Sequence, residues 1–282
     1  SRDPAHRLAD RAAICLFRRG DLAPIPPERT LSIEIDPQAV ASARTNIPGA
    51  AWGNVWAAWQ ARIGCALAGG SEAPSRMLHY PEAYRLAAAE LGPASGGLIA
   101  AGGVPERYAP PDGRFAVSRH DGSFAVDTAR TAGAYLERGS HRGSVLSFEL
   151  EGGEAAVWVS SLDGQPLRRS TRMLLVHLPD IQNSGAEYDG VARGVLTEYG
   201  QAPHLARNSR ARVRLGLEEP ARYVVYRLAL DGSRVAEVPA TVEGGALVFD
   251  ASVALDPASA TLLYEISADS TRKQLDKRTK NP

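Results

Sequence analysis

The side chains able to do chemistry in this chain are plentiful but dispersed. The six histidines, His6, His79, His120, His141, His177 and His204, never fall at the short spacings that bring two imidazoles to one metal. No His-Glu-x-x-His, Cys-x-x-Cys or Gly-x-Ser-x-Gly pattern occurs, so neither a zinc hydrolase nor a serine nucleophile elbow can be assembled locally. The pairs Gly96-Gly97 and Gly102-Gly103 lack the Walker and Rossmann spacings and read as loop. Carboxylates remain: Asp127, Asp163, Glu187, Asp189 and Glu198 lie in or near turns. Cleavage of a glycosidic bond needs two carboxyl groups about 5–9.5 Å apart, and such pairs come from distant strand ends. Asp163 sits in Leu162-Asp-Gly-Gln-Pro, where an aspartate bonds its own following backbone, so a turn role is expected. Asn183-Ser184-Gly185 likewise suits a tight loop and is not a glycosylation sequon. His177, inside an apolar run, reads as a structural histidine. No catalytic residue, metal ligand or cofactor is assigned.

Aromatic side chains offer a second chemistry, the stacking of sugar rings on broad apolar faces. Trp52, Trp56 and Trp59 are spaced by four and three, a helical stripe. It reads first as core or domain interface and second as a carbohydrate platform. Trp158 alternates within a strand and can face either way; Tyr135, Tyr188 and Tyr199 are further carbohydrate-contact candidates.

The elements that must position these groups follow from composition and periodicity. With 282 residues, 44% hydrophobic and 23% charged, the chain can bury a sizeable core and reads as one or two globular domains. Its formal net charge of zero gives no global field for nucleic acid or an anionic membrane. No apolar run approaches the roughly 18 residues of a membrane span. Cys15 and Cys65 are isolated in apolar sequence and read as free thiols. No secretory signal opens the chain, which begins without Met at a helix start, as a fragment or processed product would.

Asp3 caps and Pro4 opens a helix over residues 5–19, with Leu8, Ala12, Cys15 and Leu16 on one face, widened by Ile14 and Phe17. Arg18 and Arg19 complement its C-terminal dipole and Gly20 stops it. Pro24, Pro26 and Pro27 then mark a linker. Residues 28–113 read as a mixed connecting region, with a strand at 31–35 and a short helix at 80–91. From residue 114 the texture becomes short alternating strands, with Asp121-Gly122, Arg138-Gly139, Gly152-Gly153, Asp231-Gly232 and Gly244-Gly245 as turns. That rhythm, without helical crossovers, predicts an antiparallel β-sandwich over 114–268. Residues 269–282, with Arg272, Lys273, Lys277, Arg278 and Lys280, form a basic tail expected to be solvated.

Several segments occur in a telling order. The run 3–24, DPAHRLADRAAICLFRRGDLAP, resembles the last barrel helix and exit loop of clan A type glycoside hydrolases. Asp127-Thr-Ala-Arg-Thr, Val159-Ser-Ser-Leu-Asp-Gly-Gln-Pro-Leu, Ser170-Thr-Arg-Met-Leu-Leu, Asn183-Ser-Gly, the run 223–234 and Leu262-Leu-Tyr-Glu-Ile are similar to strands and turns of the β-domain that follows that barrel. The resemblance touches both ends and the middle, and is least over 46–111. It implies a mainly β fold: an antiparallel sandwich behind an N-terminal α-helix left over from a (β/α)8 barrel. It also implies that residues 1–27 are that helix and its linker.

By the same resemblance the two catalytic glutamates would lie on earlier barrel strands. A complete barrel takes about 250 residues, so it is expected upstream, as the partner of this domain. The parent would be a secreted or periplasmic glycosidase acting on poly- or oligosaccharides with retention, and this chain alone would be inactive. Two other readings stand beside it: a carbohydrate-binding module, and a non-catalytic interaction β-domain.

Overall fold

The computed structural model describes residues 11–24, 30–35, 62–67, 107–109, 113–118, 120–189, 195–253 and 260–268. The chain divides into two units, Ser1–Leu22 with Gly113–Pro282, and Ala23–Asp112. In the second unit, strands β1 (Thr30–Ile35) and β2 (Arg62–Leu67) pair in parallel, an arrangement the alternating sequence did not foretell; β3 (Arg107–Tyr108) follows. Trp52, Trp56, Trp59 and the helix expected at 80–91 lie outside the described residues, as do residues 5–10 of the first helix and the basic tail.

The first unit is the predicted mainly β, antiparallel sandwich. Its strands are β4 (Phe115–Ser118), β5 (Phe124–Asp127), β6 (Thr131–Leu136), β7 (Gly139–Arg142), β8 (Leu146–Glu151), β9 (Ala155–Ser161) and β10 (Arg172–Pro179). Then come β11 (Ile181–Ser184), β12 (Glu187–Asp189), β13 (Val195–Glu198), β14 (Gln201–Ala206), β15 (Arg210–Leu215) and β16 (Tyr223–Leu228). The last are β17 (Arg234–Val238), β18 (Ala240–Glu243), β19 (Ala246–Ser252) and β20 (Leu263–Ala268). The larger sheet runs β17-β16-β20-β10-β9-β6-β5-β4 across this unit, and the smaller, five-stranded one β18-β19-β15-β8-β7.

Alternation builds the core between them. Leu146, Phe148 and Leu150 of β8, Val213 and Leu215 of β15, and Leu247 and Phe249 of β19 meet Val157, Val159, Leu175, Tyr264 and Ile266 from the larger sheet. The outer faces differ. On the smaller sheet, Arg210, Arg212 and Arg214 form a stripe paired to Asp250 (2.8 Å) and Glu243 (3.0 Å from Arg212). This is a solvated, self-neutralised face whose exposed pairs add little stability. The outer face of the larger sheet carries a second apolar cluster of Trp158, Val176, Leu228, Val253, Leu262 and Leu263. Burial on both faces explains why β9 and β10 read as nearly unbroken apolar runs. Gly133 belongs to the same face: a Cβ there would come within 2.3 Å of Trp158 Cβ, so only glycine permits the β6–β9 pairing opposite the indole.

Gly139, expected in a turn, instead opens β7 at φ 93°, a backbone conformation that glycine adopts freely. The segment expected as a polar loop around Asn183 is a long excursion, with β11 pairing β14 and β12 pairing β13.

Candidate functional site

The N-terminal helix, described from residue 11, ends in a π-helical turn, Ile14–Arg18. Gly20 follows at φ 73°, the left-handed stop expected from sequence. Ala12 packs on the outer cluster of the larger sheet. The turn after the helix is clamped to β6 and β9. The Asp21 side chain is fully buried and receives Arg130 Nη2 at 2.9 Å, Thr131 Oγ1 at 2.8 Å and Arg19 Nε at 3.0 Å. Arg19 also donates to the carbonyls of Ser161 and Arg130, and Arg130 donates back to the Arg19 carbonyl at 3.2 Å. Two guanidiniums and a hydroxyl therefore satisfy one buried carboxylate, which is the condition for a buried ion pair to be tolerated. On the other side of the helix, Ile14 is 46% and Phe17 70% exposed. Sequence reasoning assigned Arg19 to the helix dipole and gave Asp21 no role. Besides the neighbouring Arg19, its partners Arg130 and Thr131 lie more than a hundred residues away, and no local pattern marks them.

Among the described residues, His177 is the one buried imidazole beside a hydroxyl. Its Nδ1 lies 2.7 Å from the Ala251 carbonyl and its Nε2 2.6 Å from Ser209 Oγ. The carbonyl can only accept, so Nδ1 carries the proton and Ser209 donates to Nε2. A serine–histidine contact is the geometry of an activated nucleophile. Here, however, His177 is inaccessible, Ser209 is nearly so, and the third partner is a backbone carbonyl. Burial pushes His177 down to about 4, against the raising effect of the Ala251 carbonyl. The pair is a structural tie between the two sheets.

Asp163 is the hub of its turn. It accepts from Ser161 Oγ (2.9 Å), Gln165 N (3.1 Å), Ser170 Oγ (2.8 Å), and Thr171 N (2.7 Å) and Oγ1 (2.8 Å). Burial works to raise its pKa, but these donors together hold the carboxyl far below the usual carboxylate range. Asp163→Ala is expected to cost about 2 kcal/mol in urea denaturation at neutral pH, because five donors lose their acceptor at a largely solvated site. A loss below about 0.5 kcal/mol would contradict the hub role.

Glu265, buried on the outer face, takes Arg172 Nε and Arg234 Nε at 2.6 Å each, and Arg234 lies 4.0 Å over the Tyr226 ring. Burial pushes Glu265 up, and the two guanidiniums more than reverse it. Within this cluster the Glu265 carboxylate is committed to two guanidiniums. Asp127 is occupied by the backbone N–H and hydroxyl of Ser144, both at 2.7 Å. Among the described residues, no three His, Cys, Asp or Glu side chains converge as a metal site.

Among the carbohydrate-contact candidates, Trp158 is buried in the outer cluster and presents no face to a ligand. Tyr135 donates to Glu154 Oε2 at 3.0 Å, Tyr188 is partly buried, and Tyr199 is 78% exposed. Tyr199 belongs to the excursion, where a groove of about 360 Å³ is lined by Asp180, Gln182, Asn183, Ala186, Leu205 and Arg207, among others. Comparison with protein-family models, curated proteins and solved structures finds no match. The class defined by fold and site is thus a two-sheet β-sandwich with a helix clamped to one outer face and polar residues committed to structure.

Proposed function

We propose that this chain is the C-terminal accessory β-domain of a glycoside hydrolase acting on poly- or oligosaccharides, supporting a catalytic (β/α)8 barrel that precedes it. The observation that carries the reading is the helix. It is held to the sandwich by the Asp21 cluster and Ala12, while Ile14 and Phe17 remain open on its other side. A helix held to one domain through Ala12 and a polar clamp, with large apolar side chains open on its other side, is what a segment shared between two domains requires. The asymmetry of the sandwich supports it as well: a charge ladder outside the small sheet, an apolar layer outside the large one. The commitment of Asp163, Glu265, Asp127 and His177 to internal bonds fits a domain whose chemistry lies elsewhere.

The test is turnover of a panel of aryl glycosides by the purified chain. The expected result is none above the uncatalysed rate. Hydrolysis that is abolished by neutralising one of the chain's own carboxylates would overturn the proposal.

A further inference from the structure

Four adjacent strands, β17, β16, β20 and β10, bring an unbalanced charge cluster to the outer face of the larger sheet. Glu265 of β20 stands in register with Tyr226 of β16 on one side and Leu174 of β10 on the other, and its side chain is 4% exposed. Arg172 donates Nε to one of its oxygens and Arg234 donates Nε to the other, both at 2.6 Å. One guanidinium balances one carboxylate, so the second leaves an excess of positive charge. Among the described residues, both arginines spend only Nε, and the Nη1 and Nη2 groups of each have no protein partner. Elsewhere those ends are spent. Arg210 and Arg212 give Nη2 to Asp250 and Glu243, and Arg19, which also shares one carboxylate with a second arginine, gives its Nη groups to the carbonyls of Ser161 and Arg130. Arg234 is held further by the Tyr226 ring, whose centroid lies 4.0 Å from the guanidinium carbon. The side chains of Arg172 and Arg234 are 62% and 48% exposed, so the unspent ends are open to solvent.

We infer that the paired guanidiniums of Arg172 and Arg234 form a binding site for a tetrahedral oxyanion, a phosphate group either free or carried as a monoester. Two Nε atoms bonded to opposite oxygens of one carboxylate lie within about 7.5 Å of each other, a gap that one such anion bridges with charge-assisted bonds of about 2.8 Å on each side. The free donors come as two planar forks, which match an anion of three or more oxygens better than a carboxylate with two. Glu265 is the scaffold: it fixes both forks before a ligand arrives, so little side-chain entropy remains to be lost on binding. Leu174 and Tyr226, packed against the outer apolar layer, line the floor and reduce the screening of its charges. Glu237 pairs with Tyr226 in register on β17, yet the carboxylate that acts on Arg234 is Glu265. The site stands apart from the accessory-domain reading, which rests on the helix and not on these strands.

The test is an NMR titration of the whole chain with inorganic phosphate at constant ionic strength, balanced with sodium chloride, reading arginine Nε–H and backbone amide signals. The expected result is saturable shifts at the Nε–H of Arg172 and Arg234 and at the amides of residues 172, 226, 234 and 265, with a dissociation constant on the order of millimolar. Arg172→Lys and Arg234→Lys each keep a cation beside Glu265 but lose the fork, and each should weaken binding about tenfold. Tyr226→Leu changes no charge and, by loosening Arg234, should weaken it about threefold, which serves as the readout if a lysine variant does not fold. Arg212→Gln, in the ladder outside the other sheet, should leave it unchanged. Glycerol 3-phosphate separates the two sources: affinity equal to that for inorganic phosphate assigns a monoester on a larger ligand, and binding of inorganic phosphate alone assigns the free ion, and either supports the site. No saturable shift, affinity unchanged in the variants of Arg172, Arg234 and Tyr226, or an equal loss in Arg212→Gln would each overturn the inference. Acetate bound as tightly as phosphate would do so too, by showing a site that reads charge and not a tetrahedral group.

Discussion

Asp21→Ala is expected to destabilise the first unit by about 3 kcal/mol and to free the helix end from the sheet. The carboxylate is wholly buried and answers Arg19, Arg130 and Thr131 at once. Removing it leaves two guanidiniums facing each other in a partly desolvated site, the costly way to break an ion pair. The loss should have a location. Amide hydrogen exchange should rise at residues 14–22, where Arg19 N bonds the Ile14 carbonyl and Leu22 N the Leu16 carbonyl, and should hold steady in β15 and β19. Asp21→Asn, which keeps an acceptor for Thr131 but not the charge, should fall between. A change under about 1 kcal/mol with unaltered exchange over 14–22 would mean that the clamp does not hold the helix.

The second large effect is on pH. His177 titrates at about 4 in the fold because it is buried, and near 6.5 in an unfolded chain. The unfolded state therefore takes up the proton first as pH falls. The full contribution of the neutral imidazole is present above about pH 6.5 and is lost progressively down to about pH 4, a total of about 3 kcal/mol. Urea midpoints measured across that window should fall steadily for the native chain. His141, also lowered by burial, titrates in the same direction, so the comparison that isolates the effect is His177→Gln. That variant should start less stable, from the loss of the tie between Ala251 and Ser209, and should show a visibly flatter pH dependence over the window. The carboxylates held low, Asp163 and Glu265, begin to lose their contribution below about pH 5, as their unfolded counterparts take up protons, so the slopes are compared between about pH 6.5 and pH 5. An equal slope in both proteins would remove His177 as the source.

What was legible in sequence was whatever depends on near neighbours. Apolar runs between turns placed β9 and β10, short β-type runs placed β16, β19 and β20, and the Asp163 turn followed from an aspartate beside glycine and proline. His177 was read as structural from its apolar surroundings, and its paired bonds show why the imidazole is tolerated there. What failed depended on distance or on which face is covered. Trp158 sits at an alternating position, yet its outward side meets a second apolar layer rather than water, and one strand cannot reveal that. Arg138-Gly139 signals a turn in sequence; the bend falls at 137–138, and Gly139 itself enters β7 through its pairing with β8. The segment around Asn183 reads as loop because of its polar sequence, and the strands that complete its ribbon, β13 and β14, are exposed along their whole length. Asp21 had no readable role, since Arg130 and Thr131 are brought to it only by the fold.

The central claim is that the open face of the helix belongs to a barrel of the same polypeptide. It is tested most directly by reading the coding DNA that precedes the Ser1 codon. The account predicts an uninterrupted frame encoding alternating strands and helices of a (β/α)8 barrel, with a glutamate at the C-terminal end of each of two strands. A start codon immediately before Ser1, or an upstream domain without such a barrel, would contradict it.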